Sequence, residues 1–171
     1  QMVREVLDAP DYTFGLFKEL WSELGGQLDG DLRRGAVPDE LDPIVIWSSV
    51  PMSDVIKSIN KFSNNLMSRQ LMLTLGAELF GAPATQEKGA EAVRVYLGER
   101  GIEADKLVMD NGSGLSRDAR VTTALMNAAL QQGYSMLFMP EFLSSLPLAG
   151  TDGTMRNRLR GPGTKGTMHV K

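Results

Sequence analysis

The chain has 171 residues, a mass of 18.7 kDa and a formal net charge of −3. Hydrophobic residues make up 42% and charged residues 23%, which is ordinary for a globular protein, and we expect residues 1–171 to form a single domain. The acidic balance excludes the charge pattern of a nucleic-acid-binding protein, and the lack of cysteine excludes disulfides, thiolate metal sites and a cysteine nucleophile. No stretch approaches the roughly 18 consecutive apolar residues of a membrane span.

The first fifty residues predict one helix followed by two strands. Asp11 is a favourable N-cap residue, and Gly25 with Gly26 would end the helix. The helix has apolar residues at a helical spacing, namely Phe14, Phe17, Leu20, Trp21 and Leu24. Weak alternation over 27–34 predicts an exposed strand, and the β-branched run 44–47 predicts a buried strand.

The middle of the chain predicts three helices. Pro51 suits the first helical position, and that helix would break near Phe62. Residues 64–80 are apolar on nearly all sides, as in a buried helix. Thr85 is a good cap for a third helix over 86–100, which Gly101 would end.

The last third alternates between short elements and turns. We expect a strand at 106–109, a loop at 110–114, and a helix that Ser116 caps and Gly133 ends. The remaining expectations are two short helices at 140–146 and 154–159, a loop at 161–166 and a strand at 167–171. A terminal strand without neighbours would indicate that further strands of a sheet are missing.

Two short motifs suggest a chemistry. Ser63-Asn64-Asn65 opens the apolar 64–80 helix as a Ser-x-Asn triplet, and about a hundred residues later a strand-like segment ends in Lys171. These are two of the three motifs of penicillin-recognising serine enzymes. A simpler interpretation is that Ser63 and its neighbours only cap a helix, since Ser and Asn are favoured there.

The remaining motif, Ser-x-x-Lys with the nucleophilic serine, occurs only as Ser58 with Lys61. The nucleophile needs the start of a buried helix, whereas Ser58 falls near the end of a predicted one. It also lies five residues before Ser63, although the two motifs must converge from separate elements. We therefore do not assign Ser58 as the nucleophile.

When these motifs are read together with the residues that flank them, the chain resembles the C-terminal part of a class C, low-molecular-mass penicillin-binding protein. This family comprises serine D-alanyl-D-alanine carboxypeptidases and endopeptidases with a large insertion between their first two motifs. The resemblance rests on three stretches in order: 59–67 with 73–76, then 110–117, and then 146–150 running to 169–171. It implies a mixed α+β fold of the α/β class: a helix-rich portion of a β-lactamase and penicillin-binding-protein transpeptidase-like fold, with strands from an incomplete antiparallel sheet. The family pattern continues Lys-Thr-Gly, and here the sequence ends at Lys171.

The resemblance also implies roles for individual residues. Ser63 would relay a proton to the departing amine, at the N-terminus of the helix that starts with Asn64 and at the edge of a cleft. Asn65 would bind the substrate carbonyl and the lysine of the first motif. Lys171 would supply positive charge and attract the substrate carboxylate. The implied catalytic residues are thus Ser63, Asn65 and Lys171, and Ser113 joins Asn65 and Lys171 as a substrate-binding residue, although Ser113 could simply form a turn.

The implied partners are peptidoglycan stem peptides and β-lactam antibiotics, with no nucleic acid, no cofactor and no metal. The implied location is the periplasm or another extracytoplasmic part of a bacterial envelope. Because the chain lacks the nucleophile, we expect it to be inactive alone. Two alternatives remain open: a β-lactamase or esterase on the same scaffold, and an inactive penicillin-binding-like interaction module.

Overall fold

The computed structural model describes residues 8–38 and 40–170, which form two compact units, Gln1–Trp47 and Ser48–Lys171. The first unit contains helix α1, Ala9–Glu23. Its N-cap is Asp8 rather than the predicted Asp11, because the Asp8 side chain accepts a hydrogen bond from the Asp11 amide at 3.1 Å. The helix ends where expected, with Gly25 in the left-handed region at φ +85°.

The two strands predicted for the first unit are wrong. Residues 27–34 and 44–47 carry no strand, and every residue from 44 to 47 is at least 78% exposed. A β-branched run favours extended backbone, but a strand forms only where another strand supplies hydrogen-bond partners. In the described part of this unit, no such partner lies alongside.

The second unit contains five α-helices and one short 3₁₀ helix among its described residues. They are α2 at Met52–Phe62, α3 at Asn65–Phe80, α4 at Gln86–Gly98, α5 at Thr123–Ser135, α6 at Met139–Ser145 and the 3₁₀ helix at Gly153–Met155. The Thr85 cap of α4 is confirmed, since its hydroxyl accepts from the Lys88 amide at 3.2 Å. The Ser116 cap of α5 is wrong: Thr122 caps that helix, while Ser116 accepts from the amide of Asp118.

Two other helix boundaries differ from the prediction. Pro51 is the N-cap of α2 instead of its first helical residue. Gly133 does not end α5, which continues to Ser135. Gly133 is buried because the ring of Phe142 in α6 lies against it, where a Cβ atom would be 2.8 Å from the ring. Packing, rather than helix termination, explains this glycine.

Helices α3 and α4 pack closely through glycine. A Cβ atom on Gly76 of α3 would lie 2.5 Å from the backbone nitrogen of Gly89, and one on Gly89 would lie 2.6 Å from the carbonyl oxygen of Met72. Met72 and Gly76 are the buried residues of α3. The prediction of a fully buried helix is therefore wrong for this chain, because Leu66 and Leu79 remain more than half exposed.

Strand pairing in the second unit is reduced to isolated contacts. Its described residues contain two antiparallel bridges, Val108 with Arg120 and Leu148 with His169. They fall where strands were predicted at 106–109 and 167–171, but neither extends into a ladder. Alternation along the predicted 167–171 strand would also turn Met168 inward. This expectation is wrong, since Met168 is 40% exposed.

Candidate active site at the turn between α2 and α3

Ser63 occupies the sharp turn between α2 and α3. It is the C-cap of α2 and adopts the left-handed conformation at φ +53° and ψ +47°, which residues other than glycine rarely adopt. Its amide bonds the Ile59 carbonyl, and the next amide, of Asn64, bonds the same carbonyl at 3.1 Å. This turn leaves Ser63 exposed. Strained non-glycine residues of this kind concentrate at functional sites.

The residues after Ser63 divide two tasks between them. Asn64 is the N-cap of α3, where its side-chain oxygen accepts from the Met67 amide at 3.1 Å. Asn65 is the first helical residue and is half-buried. Ser63 therefore lies at the N-terminus of α3, as expected, but directly before the N-cap, because Asn64 performs the capping. The middle residue of the motif stabilises the helix, and the two outer residues are not needed for its cap.

Close to Ser63, the end of α2 is tied to the segment after α6. The Lys61 ammonium donates to the Leu146 carbonyl at 2.7 Å and forms an ion pair with Asp152 at 2.6 Å. Lys61 is only 8% exposed. Its hydrogen bond is the main cause that lowers the pKa of Asp152 below 3.8, followed by a bond from the Leu148 amide.

The segment 166–170 lies alongside residues 147–149. The amide of Ala149 bonds the Met168 carbonyl at 2.9 Å, and the amide of Val170 bonds the Pro147 carbonyl at 2.8 Å. The residue that follows, Lys171, lies outside the described residues. Its predicted role therefore remains a prediction, but the backbone leading to it pairs with the segment to which Lys61 is bonded.

Ser113 lies in the 110–114 loop, which contacts α3. Its hydroxyl donates to the Asn111 side-chain oxygen at 2.6 Å and accepts from the Leu115 amide at 3.2 Å, so it holds the turn together. The loop contacts α3 through Ser68, whose hydroxyl donates to the Gly112 carbonyl at 2.6 Å. Because Ser68 follows Asn65 by three residues, both lie on the same face of α3, and the loop adjoins that face.

Sequence reasoning missed the ion pair of Lys61 with Asp152 and the contact of Ser68 with the 110–114 loop. A lysine one residue before the end of an amphipathic helix gives no local sign that it is buried. The excluded Ser58–Lys61 pair now has a physical explanation, since Ser58 lies in the middle of α2 and the Lys61 ammonium is engaged by Asp152. A cavity of about 660 Å³ lies between 101–106 and the start of α5, and none of the predicted site residues lines it.

Residues 1–171 match the D-Ala-D-Ala carboxypeptidase 3 (S13) family. The chain belongs to this family. It is 32% identical over 174 residues to a D-alanyl-D-alanine carboxypeptidase of an Actinomadura species, covering 96% of this chain and 32% of that protein. It is 25% identical to the D-alanyl-D-alanine carboxypeptidase DacB of Haemophilus influenzae, over 86% of this chain and 31% of the relative. The S13 chain thus spans about a third of the length of the curated relatives it matches.

The fold agrees with this assignment. Penicillin binding protein 4 of Haemophilus influenzae superimposes with a TM-score of 0.83, at 24% identity, over 94% of this chain and 36% of that one. A second structure of the same protein, complexed with a β-lactam, gives a TM-score of 0.81 at 23% identity, over 95% of this chain and 38% of that one. The predicted helix-rich fold is confirmed at this level: the S13 chain has the fold of a portion of penicillin binding protein 4. The predicted sheet strands are not confirmed, since the described residues contain only isolated bridges. None of the helices within residues 8–38 and 40–170 has the length and hydropathy to cross a bilayer.

Proposed function

We propose that the full-length protein is a serine D-Ala-D-Ala carboxypeptidase or endopeptidase of the bacterial envelope, which cleaves peptidoglycan stem peptides and binds β-lactams. In this reaction a serine hydroxyl adds to the carbonyl of the penultimate D-Ala, and the terminal D-Ala leaves as its amine after gaining a proton. Water then hydrolyses the acyl-enzyme ester. The antiparallel sheet of the transpeptidase-like fold, of which residues 166–170 would be one strand, is part of the same proposal.

One observation carries this proposal: the three stretches that define the family resemblance are bonded around the α2–α3 turn. Lys61 contacts the segment after α6, residues 147–149 pair with 166–170, and Ser68 contacts the 110–114 loop. Stretches that lie far apart in sequence are thus bonded to Lys61, two residues before Ser63, and to Ser68, three residues after Asn65. An active site assembled from separate loops on a fixed helical frame is what acyl transfer requires.

Within this proposal each residue has a separate task. The exposed Ser63 hydroxyl relays the proton that the leaving amine needs, because a hydroxyl can accept and donate at once. The Asn65 amide binds the substrate carbonyl on the α3 face that adjoins the loop of Ser113. Lys171 supplies positive charge for the substrate carboxylate. The nucleophile comes from a Ser-x-x-Lys motif outside these 171 residues.

The test is hydrolysis of a D-Ala-D-Ala peptide by the full-length protein with Ser63 as wild type, Ser63→Ala or Ser63→Gly. We expect both variants to lose turnover by about 100-fold or more, the usual cost of removing a group that acts in the transition state. Because glycine tolerates the left-handed conformation, Ser63→Gly should be as stable as the wild type or more stable by up to about 1 kcal/mol. Loss of turnover together with a stable fold separates proton relay from capping.

Other outcomes favour the two alternatives. Rapid turnover of β-lactams without peptide hydrolysis would indicate a β-lactamase or esterase on this scaffold. Absence of both peptide hydrolysis and a covalent penicillin adduct would indicate an inactive interaction module. Full activity of Ser63→Gly would contradict the proposed role of Ser63 in either enzyme.

A further inference from the structure

Lys61 is a buried cation, which is unusual for this residue type. Lysine is almost never buried unless its charge is paired, because removing an ammonium group from water is costly. At 8% exposure, Lys61 satisfies its ammonium with the Leu146 carbonyl and the Asp152 carboxylate. Both partners lie in the segment after α6, so this one side chain connects the end of α2 to residues 85 and 91 positions further along.

Asp152 extends this connection to the paired segments 147–149 and 166–170. One of its carboxylate oxygens accepts from Lys61, and the other accepts from the Leu148 amide at 2.8 Å. Leu148 forms the antiparallel bridge with His169, two residues before the end of the chain. A single carboxylate therefore joins the end of α2, which leads into Ser63, to the backbone that leads into Lys171.

The surroundings hold this connection tightly. Asn60, next to Lys61, donates to the hydroxyl of the fully buried Ser145 at 2.8 Å. Gly153, next to Asp152, has φ +51°, and a Cβ atom there would be 2.4 Å from the Lys61 carbonyl oxygen. Only a residue without a side chain allows so close an approach, so α2 and the segment 145–153 cannot slide past each other without breaking these bonds.

We propose that Lys61 and Asp152 are positioning residues, whose ion pair fixes the Ser63-x-Asn65 turn relative to the segment 166–170, which precedes Lys171 in the sequence. This inference rests on the proposed function, since it is the two motifs that must be aligned. The pair is expected to contribute only modestly to stability, because the Asp152 side chain is 39% exposed and solvent weakens ion pairs of this kind. In this role neither residue contacts the substrate. The ion pair acts by setting the distance between the Ser63-x-Asn65 turn and the segment 166–170.

The first experiment measures kcat and KM of the full-length protein with a D-Ala-D-Ala peptide, well below the melting temperature of every variant. Lys61→Met and Asp152→Asn should each lower kcat by about 10- to 100-fold, because misplacing a reacting group by about 1 Å costs this much. KM should change far less, since the loss is in the transition state. The double variant should be no worse than the poorer single variant, because both substitutions break the same link.

The matched control is Lys57→Met, which removes an exposed lysine from α2 one turn before Lys61. It should leave kcat within about twofold of the wild type, as surface substitutions usually do. If Lys61→Met lowers the melting temperature while kcat stays at the level of this control, the pair is only structural and the inference is wrong.

A second measurement does not depend on activity. Amide hydrogen exchange in the full-length protein reports the bonds from Ala149 to Met168 and from Val170 to Pro147 directly. Lys61→Met should accelerate exchange at Ala149 and Val170 by about 10-fold or more, with the amides of α4 unchanged. If the wild type proves inactive, the proposed function fails, and exchange still decides whether the ion pair holds the segment 166–170 against 147–149. Unchanged exchange at both amides would overturn the inference.

Discussion

At the scale of single residues, the Ser-x-Asn motif is a turn whose three positions differ in backbone and in task. Ser63 ends α2 in the left-handed conformation, Asn64 caps α3, and Asn65 begins it. The sequence predicted that a helix starts here, but a triplet of three good capping residues does not say which one caps. The structure decides it: Ser63 ends α2 in the left-handed conformation, and Asn64 is the extended residue that caps α3.

Asp152 should make the stability of the protein depend on pH. Its pKa is lowered below 3.8, chiefly by the hydrogen bond from Lys61 and to a smaller extent by the charge of His169. Because the folded-state pKa is lowered, the ionised Asp152 stabilises the protein above pH 3.8. This contribution is lost as the pH falls from there through the lower folded-state pKa. We therefore expect Asp152→Asn to reduce the free energy of unfolding by about 1 kcal/mol at pH 7, since the carboxylate is partly exposed.

The measurement is thermal unfolding of both full-length proteins at a series of pH values from 7 to below 3.8. The difference between them should shrink as the pH falls below that value. Asp105→Asn, an exposed carboxylate, is the control and should differ from the wild type by less than about 0.5 kcal/mol throughout. A difference that stays constant down to the lowest pH would contradict the role of the ionised Asp152.

At the scale of elements, the contact between α3 and α4 depends on two facing glycines. Gly76→Ala should reduce the free energy of unfolding by about 1–3 kcal/mol, because its methyl group would meet the backbone of Gly89 at 2.5 Å and backbone cannot move aside easily. Chemical denaturation of the full-length protein measures this effect.

Gly98→Ala is the matched control for this substitution. Gly98 is also helical, in the last position of α4, but a Cβ atom there would meet nothing within 4 Å. Its replacement should be neutral or stabilising by up to about 1 kcal/mol, from helix propensity alone. Equal effects of the two substitutions would show that propensity, and not the helix contact, decides both.

At the scale of the whole molecule, the 171 residues contain a Ser-x-x-Lys sequence only at Ser58, in the middle of α2. The lysine of that sequence is engaged by Asp152 and the Leu146 carbonyl, so it cannot act as the base for Ser58. We therefore expect this chain alone to form no covalent adduct with a labelled penicillin, as measured by intact-mass spectrometry.

The full-length protein is the positive control for that experiment and should gain the mass of one penicillin. A single adduct on the 171-residue chain that disappears in Ser58→Ala would reverse the motif assignment. An adduct that persists in Ser58→Ala would instead identify another nucleophile within the chain.

The sequence by itself determined where most of the helices lie and which family the chain belongs to. The Thr85 cap, the apolar run of α3 and the spacing of the three family stretches are local patterns, so they can be recognised without knowing what lies opposite them. Residues 44–47 show where local pattern fails, since their β-branched run forms no strand without a partner.

Only the tertiary structure decided which side chains meet. Lys61 and Asp152 are 91 positions apart, and nothing in the neighbourhood of either residue indicates the other. The same holds for Ser68 with Gly112, and for the left-handed backbone of Ser63. Burial, ion pairing and strained backbone depend on the packing of distant segments, and the contacts that surround the candidate site are of this kind.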